Sequence, residues 1–167
     1  MHDLRQLVPA YVDRERTHLN SVIIEPGSER EAYDICQSRR INAKYALRSN
    51  AAVLIGGIIT FGREAQKKIE ALSVEQQDDL FLAVTERIAE RLNTTVESLV
   101  VHRDETSVHA HFRIHGFNRE GKPVSRTINR EVASELQDIA GETPQVARLG
   151  ITRGKRKELR IADGEPL

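Results

Sequence analysis

The sequence predicts an α+β fold with a sheet that is at least partly antiparallel. Helical and strand patterns are interspersed along the 167 residues, and the strongest period-two alternation lies within residues 100–117. The two strands of that segment are joined by a turn too short for a parallel crossover. The length suits one domain, and a hydrophobic fraction of 39% excludes wholesale disorder.

The elements before residue 95 follow from apolar periodicity and helix-start signals. Pro26 and Gly27 form a breaker ahead of a helix for which Ser28 is the candidate N-cap, and SVEQ from Ser73 is a capping box. We expect a short strand over 22–24, helices over 28–47, 63–73 and 73–93, and a buried strand over 51–61. Apolar residues at four-residue spacing make the last of these helices the clearest.

The elements after residue 95 include the segment that matters most for function. A buried strand over 99–101 leads into a hairpin, a turn follows over 118–121, and an amphipathic helix is expected over 127–141. The later segment TRGKRKELR is basic and lacks core residues, which favours a solvated tail. We therefore expect one domain over 1–145, followed by a basic tail or linker root over 146–167.

Composition excludes several classes of protein. Cys36 is the only cysteine, which rules out an internal disulfide and a cysteine-based zinc site. Basic and acidic residues number 25 each, so nucleic-acid binding would depend on local charge. No apolar run reaches the roughly 20 residues of a membrane helix, and no secretory signal is recognisable, so a cytoplasmic location is expected.

Four of the six histidines lie between residues 102 and 115. If residues 104–107 form the turn, His102 lies opposite His109, with β-carbons about 5 Å apart, and His111 shares their face. Three imidazoles at that separation can bind one divalent ion and leave coordination positions open. His115 could be a ligand, a substrate contact or a surface residue.

The alternative is that these histidines form only the solvated face of a hairpin. The acidic residues at its tip favour the metal hypothesis, because a carboxylate there can accept a ring N–H and fix a ligand's tautomer. Glu105 is the candidate for that role. The residues alone leave zinc open as the ion, although no H-E-x-x-H helix of a zinc hydrolase is present.

The segment HRDETSVHAH, from His102 to His111, resembles the H-x-D-E-x-x-P-H-x-H signature of Mob/Pre-type plasmid mobilisation relaxases, a branch of the HUH endonucleases. Near the N-terminus, HDLR resembles that family's H-N-x-R motif and RTHLN its R-x-H-L-N motif. The order of the surrounding elements is also similar, so the resemblance covers about residues 2 to 140.

This resemblance implies a fold with a central, largely antiparallel sheet and flanking helices. It also implies that the protein nicks and rejoins single-stranded DNA at a plasmid transfer origin. The cofactor would be a divalent ion, Mn²⁺ or Mg²⁺, that polarises the phosphate. His102, His109 and His111 would be its ligands, and Glu105 would orient a ligand. His2 would be the nucleophile, and its phosphoramidate with DNA would be energetic enough for reversal.

The resemblance also implies contacts with DNA in the N-terminal loop. Arg5, Arg14 and Arg16 would bind phosphates, and His18 and Asn20 belong to the same predicted DNA-binding set. An ordinary solvated loop is the alternative for these arginines. A homodimer remains an open partner hypothesis.

Three features depart from the family pattern. Val108 replaces the proline of the signature, and Ser21 replaces a tyrosine that often follows H-L-N, which favours His2 as nucleophile with His18 in reserve. Relatives carry a strand before the histidine of the H-N-x-R motif, and we expect that strand to be missing from this chain. A shortened, non-catalytic DNA-binding remnant is therefore one alternative function. A rolling-circle replication initiator is another, although the tyrosine expected after His111 is absent.

Overall fold

A computed structural model describes residues 9–41 and 50–154 of the chain. It shows an α+β fold with one four-stranded sheet, in the order β1-β3-β4-β2, whose three strand pairings are all antiparallel. The predicted fold class and largely antiparallel sheet are confirmed. In chain order the elements are β1 (Ser21–Ile24), α1 (Glu29–Arg40), β2 (Leu54–Ile59), α2 (Arg63–Glu70), α3 (Val74–Arg91), β3 (Val96–His102), β4 (His109–His115), α4 (Arg130–Glu142) and α5 (Pro144–Ala147).

Local sequence sets where the two longest helices of the first half begin. Ser28 caps α1 and Ser73 caps α3, each in a reciprocal capping box with the residue three positions later, Glu31 or Gln76. The predicted starts of both helices are confirmed. Helix α1 ends at Arg40, and residues 42–47 of its predicted span lie outside the described ones.

One face of the sheet carries the hydrophobic core. Leu99 and Val101 of β3, together with Ala110, Phe112 and Ile114 of β4, are buried there against the helices. Helix α3 contacts both strands and also packs on α4 and α5. The alternation of β4 therefore directs its histidines to the opposite face of the sheet.

The packed domain extends beyond the boundary expected at residue 145. Val146 in α5 is fully buried, and Ile151 belongs to the same core cluster. Arg153, assigned to the basic tail from sequence, donates hydrogen bonds to Ser134 and Asp138 on α4. The start of the predicted basic tail therefore packs against α4, whereas charge alone suggested that it would be solvated.

Two further expectations concern the ends and the location of the chain. The family's N-terminal strand would precede His2, and residues 1–8 lie outside the described part, as do residues 155–167. Among the residues that are described, no helix is both long and apolar enough to cross a membrane.

Candidate metal centre

The hairpin of β3 and β4 brings three histidines together at its turn. His102 pairs with His109 across the strands, and His111 pairs with Val100, so all three side chains lie on one face, as the alternation predicted. Their ring centroids are 4.9 to 5.3 Å apart. His102 is fully buried, which fixes one member of the cluster inside the fold.

The ring nitrogens of this histidine cluster are close enough to share one ion. Each of the three histidines offers a nitrogen within 4.8 Å of the others, and Nε2 of His109 lies 3.2 Å from Nε2 of His111. Two nitrogens bound at right angles to one ion, with bonds of about 2.1 Å, would be about 3.0 Å apart. The spacing therefore fits a shared divalent cation.

The tautomer of His109, assigned from its hydrogen bond, supports the same conclusion. Its Nδ1 lies 2.9 Å from the carbonyl oxygen of Ser107, and a carbonyl can only accept, so Nδ1 carries the ring proton. In the neutral ring, Nε2 then presents a lone pair to the cluster. A backbone carbonyl, rather than the carboxylate expected from the sequence, thus sets the tautomer of this histidine.

Glu105 lies beside the cluster in a half-buried position. Its Oε1 is 3.8 Å from Nδ1 of His102, and its Oε2 is 3.9 Å from Nε2 of His109. These distances exceed a hydrogen bond but place a negative charge next to two ring nitrogens. The carboxylate is positioned to attract a cation or to interact with a histidine ligand, and its assigned orienting role stays a prediction.

Asp104 fastens the N-terminal loop to the hairpin. Its side chain is completely buried, and Oδ2 accepts hydrogen bonds from Thr17 Oγ1 at 3.0 Å and Asn20 Nδ2 at 2.8 Å. Its backbone oxygen also accepts from the amide of Asp13 at 2.8 Å. Asn20 completes the connection by accepting from the backbone N–H of Arg103 at 2.7 Å. This loop clamp joins the turn after His102 to the segment that contains the R-x-H-L-N motif.

Arg103 strengthens the loop clamp from the neighbouring position. Its buried guanidinium donates to the carbonyl oxygen of Leu19, to Oγ of Ser21, and to Gln77 and Asp78 on α3. A buried arginine needs such partners because an unpaired charge is costly in the interior. The hairpin of β3 and β4, the N-terminal loop and helix α3 are therefore held as one unit.

The predicted DNA-binding residues fall into two groups. Arg14, Arg16 and His18 are exposed, with Nδ1 of His18 bonded to the carbonyl oxygen of Glu15. Asn20 is instead engaged in the loop clamp through both ends of its amide. The predicted nucleophile His2 and the predicted phosphate ligand Arg5 lie outside the described residues.

His115 is separate from the histidine cluster. It is buried at the far end of β4, where it pairs with Leu54, and its Nδ1 lies 2.9 Å from Oγ1 of Thr95. Burial, and to a smaller extent the nearby charge of Arg39, lower the pKa of His115, while Thr95 and Glu97 act in the opposite direction. Of the roles left open from sequence, a ligand to the same ion does not fit this position.

Sequence reasoning missed the parts of the centre that depend on backbone or long-range contacts. The carbonyl of Ser107 gives no signal in a sequence, and the pairing of Asp104 with Thr17 and Asn20 joins residues more than 80 positions apart. Asp104, the acidic residue next to Glu105 in the signature, could have been predicted to be a structural anchor. Its partners could not have been named.

Comparison with known proteins gives one family and one group of structures. The sequence model of the family described as "Plasmid recombination enzyme" (Mob_Pre) matches residues 1–163. A comparison with curated proteins finds no significant match.

The similar structures are relaxase domains of MobM bound to oriT DNA of plasmid pMV158. A Mn-bound structure at pH 5.5 has a TM-score of 0.73 and 22% identity, covering 98% of this chain and 89% of that domain. A second Mn-bound structure, at pH 6.8, has a TM-score of 0.73 and 23% identity, covering 92% and 81%. A third, with a 26-nucleotide DNA, has a TM-score of 0.64 and 23% identity, covering 83% and 80%. At these identities the similarity establishes the fold.

Proposed function

The chain belongs to the plasmid recombination enzyme family, and from that premise we propose that it is a relaxase. It would nick and rejoin one strand of plasmid DNA at a transfer origin through a covalent protein–DNA intermediate. The observation that carries this proposal is the histidine cluster, in which Nε2 of His109 lies 3.2 Å from Nε2 of His111. Family membership and the fold of the DNA-bound MobM domains support the same activity.

His102, His109 and His111 are the residues that would hold the ion, with Glu105 beside them. Two of the MobM structures are Mn-bound, which supports Mn²⁺ as the ion of this chain, with Mg²⁺ as the other candidate. Imidazole ligands by themselves also suit zinc. Such an ion would polarise the scissile phosphate when bound. The protein's own contribution is to fix the ligands, since His102 is buried and the proton of His109 is held by Ser107.

His2 is the proposed nucleophile. Its imidazole nitrogen would attack the phosphorus, forming an N–P bond as the bond from phosphorus to the 3′ oxygen breaks. The ring loses its proton and the departing 3′ oxygen takes one up, which leaves a 5′-phosphoramidate on the protein and a free 3′-OH on the DNA. Attack by a 3′-OH on the same phosphorus reverses these changes and rejoins the strand.

Cleavage of labelled DNA tests the proposal directly. Fluorescent single-stranded oligonucleotides that span candidate transfer origins are incubated with the protein and Mn²⁺ and separated on denaturing gels. The wild-type protein should give a cleaved strand and a slower protein–DNA adduct. Both products should be absent in His2→Ala and His109→Ala and should remain in Lys67→Ala, a change at an exposed residue of α2.

The other outcomes identify the competing hypotheses. An adduct that survives His2→Ala and is lost in His18→Ala would move the nucleophile to the reserve histidine. Binding of Mn²⁺ and DNA with no cleavage of any origin oligonucleotide would overturn the relaxase proposal in favour of a non-catalytic DNA-binding protein.

The location and assembly of the protein are part of the same proposal. Because its substrate would be plasmid DNA, we place it in the cytoplasm. Single-stranded DNA at a transfer origin is its proposed partner, with exposed Arg14 and Arg16 contacting phosphates. A homodimer stays a prediction, to be checked by sedimentation of the purified protein.

A further inference from the structure

A second site lies on the hairpin, away from the histidine cluster. It is a cavity of about 450 Å³ between the start of α1 and the far ends of β3 and β4. This volume falls in the range of about 300–1,000 Å³ that is usual for small-molecule sites. We call this cavity the α1 groove, and its polar lining consists of Glu25, Glu31, Asp34, Glu97 and His115, with Gly27 also part of the lining.

Two buried polar side chains line the α1 groove. His115 is 5% exposed, and its Nε2 is buried with no hydrogen-bond partner among the described residues. Glu97 is 8% exposed, and its Oε1 lies 4.0 Å from the point where a β-carbon on Gly27 would stand. Glu97 pairs with Arg113 at 3.1 Å, so the unpartnered group is Nε2 of His115. Burying that nitrogen without a partner costs free energy, so a ligand that hydrogen-bonds to it gains affinity.

The charge of the α1 groove defines the ligand further. Its lining includes four carboxylates and no lysine or arginine, although Asp34 pairs with Arg30 and Glu97 with Arg113 from outside the lining. The remaining negative charge disfavours a phosphate and favours N–H donors. Ala32, Ile35 and Val96 supply an apolar surface for a flat ring. A nucleobase with an exocyclic amine matches this combination, since carboxylates accept hydrogen bonds from such amines.

The α1 groove is also within reach of a strand bound at the histidine cluster. His111, Arg113 and His115 share one face of β4, and the four residue steps from His111 to His115 span about 13 Å. Arg113 lies between the two sites, with its Nε 2.9 Å from Ser98 Oγ and 3.1 Å from Glu97 Oε2. One single strand of DNA could therefore occupy both sites.

We propose that the α1 groove binds one unpaired nucleobase of the DNA strand, a base that carries an exocyclic amine, through Glu97 and His115. This inference rests on the proposed function. It identifies a site at which the protein would recognise one base of its DNA substrate. Cytosine, adenine and guanine each present an amine. Thymine has one N–H between two carbonyl oxygens, which the carboxylates repel.

Binding of homopolymers tests the assignment without knowledge of the origin. Fluorescence anisotropy measures the affinity of the full chain with Mn²⁺ for oligo-dC, oligo-dA and oligo-dT of about 12 nucleotides. Wild-type protein should bind oligo-dC or oligo-dA at least about fivefold more tightly than oligo-dT. Glu97→Gln, which removes the charge, and Gly27→Phe, which fills the groove, should each reduce this ratio to about one.

A matched control separates the groove from general effects of a bulky side chain. Gly154→Phe places the same ring where an added β-carbon meets nothing within 4 Å, and it should keep the wild-type ratio. Equal affinity of the wild-type protein for all three homopolymers would overturn the proposal, as would an unchanged ratio in folded Gly27→Phe. If the base preference holds while origin oligonucleotides stay uncleaved, the relaxase proposal fails and the base site stands. If origin oligonucleotides are cleaved but the homopolymers bind equally, the base site fails and the relaxase proposal stands.

Discussion

Asn20 and Asp104 are joined by a 2.8 Å hydrogen bond in which the amide Nδ2 of the first donates to the buried carboxylate of the second. The same amide accepts from the backbone N–H of Arg103 through Oδ1. One side chain therefore connects the N-terminal loop to the turn that separates His102 from His109. Together with the contacts of Asp13 and Thr17 to Asp104, it fixes the position of the loop over 13–20 relative to the histidines.

Replacing Asp104 with asparagine should destabilise the protein and impair adduct formation. The change removes a buried charge that accepts from Thr17 and Asn20, and hydrogen bonds to charged groups contribute about 1.5–3 kcal/mol. Urea denaturation should show a loss of this size. Asp34→Asn on exposed α1 is the matched control and should unfold like the wild type.

The same variant separates positioning from metal binding. Asp104→Asn should keep most of its Mn²⁺ affinity, measured by calorimetry, while its yield of protein–DNA adduct falls at least about tenfold because the loop is no longer held. Equal loss of metal affinity and adduct would show that Asp104 acts on the metal centre itself.

Mn²⁺ should stabilise the protein through the histidine cluster. An ion that binds only the folded state adds about 2.7 kcal/mol at 100 times its Kd, which raises the Tm by about 5–10 °C for a chain of this size. EDTA should reverse the shift. His109→Ala should lose most of it, whereas His18→Ala, outside the cluster, should retain it. A full shift in His109→Ala would place the ion elsewhere.

The exposed arginines of the N-terminal loop should contribute to the salt dependence of DNA binding. If Arg14 and Arg16 each contact a phosphate, their joint replacement by alanine should reduce the slope of log K against log salt by about 1.4. Anisotropy titrations at several salt concentrations measure this slope. Joint replacement of Arg63 and Arg148, which are exposed outside the loop, should leave it unchanged.

His115 should make folding stability depend on pH. Its folded-state pKa is lowered, chiefly by burial, and it faces Arg39 of α1 and Glu97 of β3, with the acidic residues of the α1 groove nearby. As the pH falls below 6.5, His115 is protonated in the unfolded chain before it is protonated in the folded protein. The free energy of unfolding therefore decreases as the pH falls from 6.5 toward the folded-state pKa, and the contribution of His115 is fully present above pH 6.5.

The comparison of wild type with His115→Gln isolates this effect from the other histidines. The Tm of the metal-free protein, followed from about pH 8 to about pH 5, should fall less steeply in the variant. Parallel curves for the two proteins would show that His115 titrates alike in the folded and unfolded states.

Much of the fold followed from local sequence. Ser73 and Gln76 form the capping box that their spacing predicted, and the period-two alternation of β4 put the histidines on one face with His102 opposite His109. These features depend on residues close in sequence, whose geometry is fixed by the helix or strand itself. The family resemblance, confirmed by the match over 1–163, came from the same short segments.

The tertiary structure decided the features that join distant parts of the chain or depend on backbone groups. The sequence by itself determined that three histidines share a face, because strand geometry requires it. Only the folded chain shows that Ser107 orients His109, that Asp104 holds Asn20, and that Glu97 and His115 meet α1 across a groove. The physical reason is that backbone carbonyls and long-range hydrogen bonds leave no periodic trace, since their partners are selected by packing.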